Sequence, residues 1–147
     1  MLKRKIPKFV RVICVLGVLL TIVSAVVVTS NAAGNYTDTL FKYEFTSSSR
    51  TTAHTEFRGK WDYTSSYAYN YNSNVKINSV LVQAPVSIYF LDCTYGQPQD
   101  LPIGYAKYLP NLVKEKGYNE AKLCFIFTPK TPPTKTSLCI LWSPDSI

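Results

Sequence analysis

From residue 40 onward, apolar and polar positions alternate with a period of two, the spacing of strands covered on one face. Over residues 40–46, Phe41, Tyr43 and Phe45 fall on one side and Lys42 and Glu44 on the other. Residues 51–63 carry the longest clean alternation. Thr55, Phe57, Gly59, Trp61 and Tyr63 share one face; His54, Glu56, Arg58, Lys60 and Asp62 share the other. This predicts a half-buried antiparallel strand with a charged outer face. After a turn at Thr64-Ser65-Ser66, Tyr67, Tyr69 and Tyr71 repeat the period. Val75 and Ile77 lead into Val80 and Val82, and the change of parity between them predicts a bulge near Asn78-Ser79. Residues 86–91 are apolar on both faces and read as a central strand, which Pro85 opens. Residues 122–128 and 138–142 give the last two strands, separated by the Pro-rich loop 129–134. One helical segment is expected, residues 112–116, preceded by Pro110 and stopped by Gly117, with Lys114 and Lys116 in its last turn. Faces rich in aromatics need a second layer to cover them, so the expected fold is a small, mainly β, antiparallel sandwich with one short helix.

The start of the chain follows a different pattern. Lys3, Arg4, Lys5, Lys8 and Arg11 precede a 17-residue apolar run over residues 12–28. Ser30 and Ala32 then stand as small residues at positions −3 and −1 of a cut after Ala32. That is the layout of a secretory signal peptide. The expected organisation is a leader over residues 1–32 and a single secreted domain over residues 33–147. The apolar run is also long enough for an uncleaved single-pass anchor. Its basic head would then stay cytoplasmic and the β domain would stand outside the cell. Membrane contact is expected only in that second case.

The leader changes how charge is read. The chain has 16 Lys and Arg against 9 Asp and Glu, but five of the basic residues lie in the leader, leaving 11 against 9. A nearly neutral domain gives no reason to expect a nucleic-acid partner. About 115 residues suit one domain with a modest core and leave no room for a large cofactor-binding unit. All 11 tyrosines and both tryptophans belong to this part. So do three of the four cysteines, Cys93, Cys124 and Cys139. An extracellular chain usually oxidises its cysteines. Cys124 and Cys139, on the two arms of a hairpin around the Pro-rich loop, are the preferred disulfide, with Cys93 as a spare or competing thiol. Reduced, buried cysteines are the other reading. Spacings of 31 and 15 residues do not resemble a zinc knuckle, and no metal is expected.

Chemistry is sparsely marked. His54 is the only histidine and sits on a polar face beside Glu56, with no nucleophile motif near it. The nine acidic residues are scattered; Asp92 and Asp100, both in loops, would serve a small secreted hydrolase best. No catalytic residue, metal site or cofactor is therefore expected, and the chain reads as a non-enzyme. The stripe Phe57, Trp61, Tyr63, Tyr67, Tyr69, Tyr71 has two readings, a sheet face turned into the core or a recognition surface. Tyr67, Tyr69 and Tyr71 are set among Ser, Ala and Asn, an uncharged setting that suits contact with a protein or a cell-surface glycan.

The closing Trp142-Ser143-Pro144-Asp145-Ser146 resembles the end of a group of small uncharacterised secreted proteins from Gram-positive bacteria. Arg58 and Trp61 are similar to an Arg and a following Trp in that group. The resemblance implies a cleaved leader and a polar, β-rich secreted body, and no established activity. A looser similarity to small secreted β-sandwich bacteriocins implies, as an alternative, a toxin acting on neighbouring cells.

Overall fold

A computed structural model describes residues 34–146. The leader expected over residues 1–32 lies outside the described residues. Ten strands follow in chain order: β1 Thr39–Phe45, β2 Thr52–His54, β3 Arg58–Gly59, β4 Ser66–Asn70, β5 Ile77–Val86, β6 Tyr89–Asp92, β7 Gln99–Leu101, β8 Ala106–Leu109, β9 Glu120–Phe127 and β10 Thr136–Ser143. They form two antiparallel sheets. One has the order β1-β10-β4-β8; the other runs β2-β9-β5-β6, with β3 also paired to β9 and β7 to β5.

The period of two decides what each sheet turns inward. The four-stranded sheet contributes Leu138, Ile140, Trp142, Ala68 and Leu109, and the six-stranded sheet contributes Val80, Val82, Ala84, Leu123, Phe125 and Phe127. Aromatic pairs bridge the layers: Phe41 stacks on Phe125 with ring centroids 5.6 Å apart, and Phe45 meets Phe127 tilted, at 5.7 Å. Each large apolar side chain buried here contributes about 1.5–3 kcal/mol relative to exposure. Residues Gly34–Ile147 thus form one compact unit around a core of their own. The mainly β, antiparallel sandwich is as expected. The parity change in β5 is also present, as a register shift between Ile77 and Ser79 against β9.

Four expectations are corrected. First, residues 112–116 are not a helix, and no helix occurs among the described residues. They make one turn, with Lys116 N donating to Leu112 O at 3.0 Å, and Gly117 ends it at φ 83°. A single turn fixes several residues for one bond, so it does not propagate unaided. Second, residues 86–91 are not a central strand. They are the β5–β6 hairpin, turning through Ser87 at φ 50°, and β6 is an exposed edge strand. Pairing of β5 with β9 stops at Gln83, so Pro85 has a neighbouring strand on one side alone, where it stands opposite Phe90 of β6.

Third, residues 51–63 do not form one strand. The chain leaves the sheet between β2 and β3, and the faces exchange: Ala53 and Thr55 point inward, but further on it is Lys60 that is buried, at 1% exposure. Trp61 and Tyr63, expected inside, are 60% and 69% exposed. Fourth, Cys124 and Cys139 are not joined; Cys93, Cys124 and Cys139 are all free thiols. The two strands that carry them belong to different sheets, because residues 128–135 cross between layers instead of closing a hairpin. Leu123 and Phe125 flank Cys124 and point into the core, as Leu138 and Ile140 do around Cys139. By alternation both thiols face outward, on opposite sides of the sandwich.

Candidate functional site

In β4 the inward positions are Ser66, Ala68 and Asn70, all fully buried. They are small or self-satisfied for a local reason. Ala68 pairs in register with Trp142, so the two side chains share the inner face, where both are buried. Ser66 Oγ donates to Pro144 O at 2.8 Å, and Asn70 Nδ2 donates to Leu101 O at 3.0 Å. With those three turned in, Tyr67, Tyr69 and Tyr71 are placed on the outer face of the four-stranded sheet. Tyr71 is 60% exposed, and Tyr67 and Tyr69 are half-buried. Tyr67 meets Tyr108 of β8 across the register, with ring centroids 5.7 Å apart and planes at 55°. Tyr69 meets Tyr71 edge to face at 6.3 Å. On the opposite side of Tyr69 stand Leu141 and then Leu40. The result is a continuous tyrosine and leucine face.

At the Tyr67 end this face dips into a pocket of about 240 Å³ lined by Tyr36, Asp38, Tyr67, Tyr108, Ser143, Asp145 and Ser146. Ser143, Asp145 and Ser146 bring the C-terminal Trp142-Ser143-Pro144-Asp145-Ser146 segment to it, and every residue of that segment is buried. Lys60 Nζ donates to Asp145 Oδ1 at 2.7 Å and to Thr64 O at 2.6 Å. Asp145 Oδ2 accepts from the amides of Trp61, at 3.1 Å, and Asn35. The Arg58 guanidinium lies 5.3 Å from the Trp142 ring centroid and donates to Trp142 O, Asn35 Oδ1 and Thr37 O. Ser143 Oγ donates to Asp145 O, and Ser146 N donates to Thr64 Oγ1. The motif that carried the resemblance is therefore a clamp that ties the last strand to β3 and to the chain around Asn35.

The electrostatics follow from these contacts. Burial pushes the Asp62 carboxyl up, but hydrogen bonds from the Thr64 hydroxyl and amide, and from the Tyr36 hydroxyl, outweigh it and hold the group at about 2. Tyr36 is raised, chiefly because its hydroxyl donates to Asp62 at 3.0 Å. Burial, and then the charge of Asp38, raises Tyr67. Both tyrosines stay neutral hydrogen-bonding groups. Burial also lowers Arg58, against the pull of Asp38 and Asp145.

The remaining candidates are not brought together. Asp92 caps its own loop, accepting from Thr94 N at 2.8 Å, and Asp100 faces Lys107 at 3.8 Å. His54 does meet Cys124, with Nε2 and Sγ 3.9 Å apart. Burial lowers the imidazole and raises the thiol, so both are held in their neutral forms, away from a reactive thiolate. Among the described residues no three His, Cys, Asp or Glu side chains are placed to share a metal, and no helix is long and apolar enough to cross a membrane.

Sequence pattern missed Tyr108, Asp38 and Tyr36 as members of this site. Residues 105–109 read as a turn, although Tyr105 and Tyr108 add to the aromatic signal of β4. Comparison with known proteins adds one match. No curated protein and no solved structure is similar to the chain. A model of a family described as a protein of unknown function, DUF2712, matches residues 28–146, nearly all of the folded unit and its approach, and the chain belongs to that family.

Proposed function

We propose that this chain is an extracellular, non-enzymatic binding protein of a bacterium that recognises a glycan of the cell envelope through Tyr67, Tyr69 and Tyr71. The observation that carries the reading is the outward row on β4, continued by Tyr108 on β8. Tyrosine offers a broad apolar ring and a hydroxyl at low entropic cost, which suits the apolar face and hydroxyl rim of a sugar. The inward residues of β4 are anchored from within, Ser66 on Pro144 O and Asn70 on Leu101 O, so the rings are presented on a held strand. The basic head and apolar run of residues 1–32, laid out as an export signal, support the same reading.

The test uses residues 34–147 and purified envelope polysaccharide. Truncating a contact tyrosine at the centre of a recognition surface removes about 1 kcal/mol or more. Replacing Tyr69 and Tyr71 together by Ala is thus expected to weaken binding at least about tenfold, with circular dichroism unchanged. Undiminished binding by the folded double variant would rule this face out.

A further inference from the structure

The pocket at the Tyr67 end has a chemistry different from the row. It is lined by three tyrosines, two serines and two aspartates, with no lysine or arginine among them. Tyr67 and Tyr108 meet at 55°, so they form a corner and not a flat platform. The faces of aromatic rings are negative, and a corner of them suits a compact cation better than a flat sugar ring. Three carboxylates, Asp38, Asp62 and Asp145, surround the pocket and the clamp beneath it, against two cations, Arg58 and Lys60. Lys60 is committed to Asp145. Arg58 feels Asp38 but directs its donors at Trp142 O, Asn35 Oδ1 and Thr37 O. Asp38 is exposed and has no ion-pair partner among the described residues. A negative charge is left over at the mouth of an aromatic corner.

We propose that this pocket binds an organic ammonium group, its methyl or methylene surface against Tyr67 and Tyr108 and its charge opposite Asp38. The inference rests on reading the tyrosine face as a binding surface, and it names the group the ligand carries at one end of it. A volume of about 240 Å³ admits a small ammonium headgroup. The hydroxyls of the wall donate as well as accept, but only a cationic group answers the unpaired charge of Asp38.

The probe is choline, with 3,3-dimethyl-1-butanol as its uncharged isostere. Each is titrated into residues 34–147 and followed by backbone and side-chain NMR shifts. Choline is expected to shift Asp38, Tyr67 and Tyr108 saturably, and the isostere to bind at least about tenfold more weakly. Asp38→Asn, an exposed change that leaves the fold intact, is expected to weaken choline severalfold, and added salt to do the same. Equal binding of the two probes, no saturable shift with choline, or saturable shifts elsewhere would overturn the proposal. Tyr69 and Tyr71 lie outside the pocket, so the two readings fail separately. If choline does not bind but Tyr69→Ala/Tyr71→Ala still abolishes polysaccharide binding, the cation site falls and the tyrosine face stands. Choline that displaces the chain from polysaccharide places the ammonium on that polymer; choline that binds without displacing it places the ammonium on another ligand.

Discussion

Lys60 and Asp145 are the most consequential pair of single residues. They are 1% and 0% exposed and 2.7 Å apart. Two buried charges are tolerable only while each satisfies the other and the remaining donors and acceptors are filled. Here Thr64 O and the amides of Trp61 and Asn35 complete the set. Lys60→Met would strand a buried carboxylate, and the expected loss is about 3–5 kcal/mol. The double change Lys60→Met/Asp145→Asn is expected to recover most of it, because no unpaired charge remains. Urea unfolding of unaltered residues 34–147 and of the two variants measures this; a loss under about 1 kcal/mol for Lys60→Met would show that the pair is not buried as described. Local pattern placed Lys60 outside, and for an understandable reason. Alternation reads only neighbours, whereas the partner that permits its burial is 85 residues away.

Among the elements, β9 and β10 show how far pattern reasoning reached. Both strands and their core faces were legible, since Leu123, Phe125 and Phe127 alternate as cleanly as Leu138, Ile140 and Trp142. Their pairing was not. A Pro-rich connection is compatible with a hairpin or with a crossing between layers, and only the competition of β4 and β1 for the two edges of β10 settles which. The disulfide inference failed with the hairpin. The consequence is measurable on residues 34–147: intact mass is expected to be unchanged by reduction, with three alkylatable thiols after unfolding. In the native protein Cys93 and Cys124 are expected to react slowly, since both are buried and burial raises both thiols, and half-buried Cys139 first. A disulfide between Cys124 and Cys139 would contradict the sheet order. The β5–β6 hairpin was misread for a different reason. Apolar residues on both faces normally signal burial, but Ile88, Tyr89 and Phe90 are exposed, and Phe90 instead roofs Lys122, whose Nζ lies 2.9 Å from its ring centroid.

At the scale of the whole molecule, the sandwich divides its aromatics between two tasks. Phe41, Phe45, Phe125, Phe127 and Trp142 hold the layers together. Tyr67, Tyr69, Tyr71 and Tyr108 stand on the outside of one layer. Sequence left the tyrosine row open between core and surface, because period-two spacing shows that residues share a face and not which way the face points. What decides it is Trp142, which fills the inner side opposite Ala68.

The most direct test of that face is tyrosine nitration, mapped by mass spectrometry, of residues 34–147 with and without envelope polysaccharide. Tyr63, Tyr89 and Tyr95 are exposed outside the row and the pocket, and serve as internal controls. Polysaccharide is expected to protect Tyr69, Tyr71 and Tyr108 while the three controls nitrate as before. Protection of the controls with Tyr69 and Tyr71 still reactive would place the binding surface elsewhere and rule out the tyrosine face.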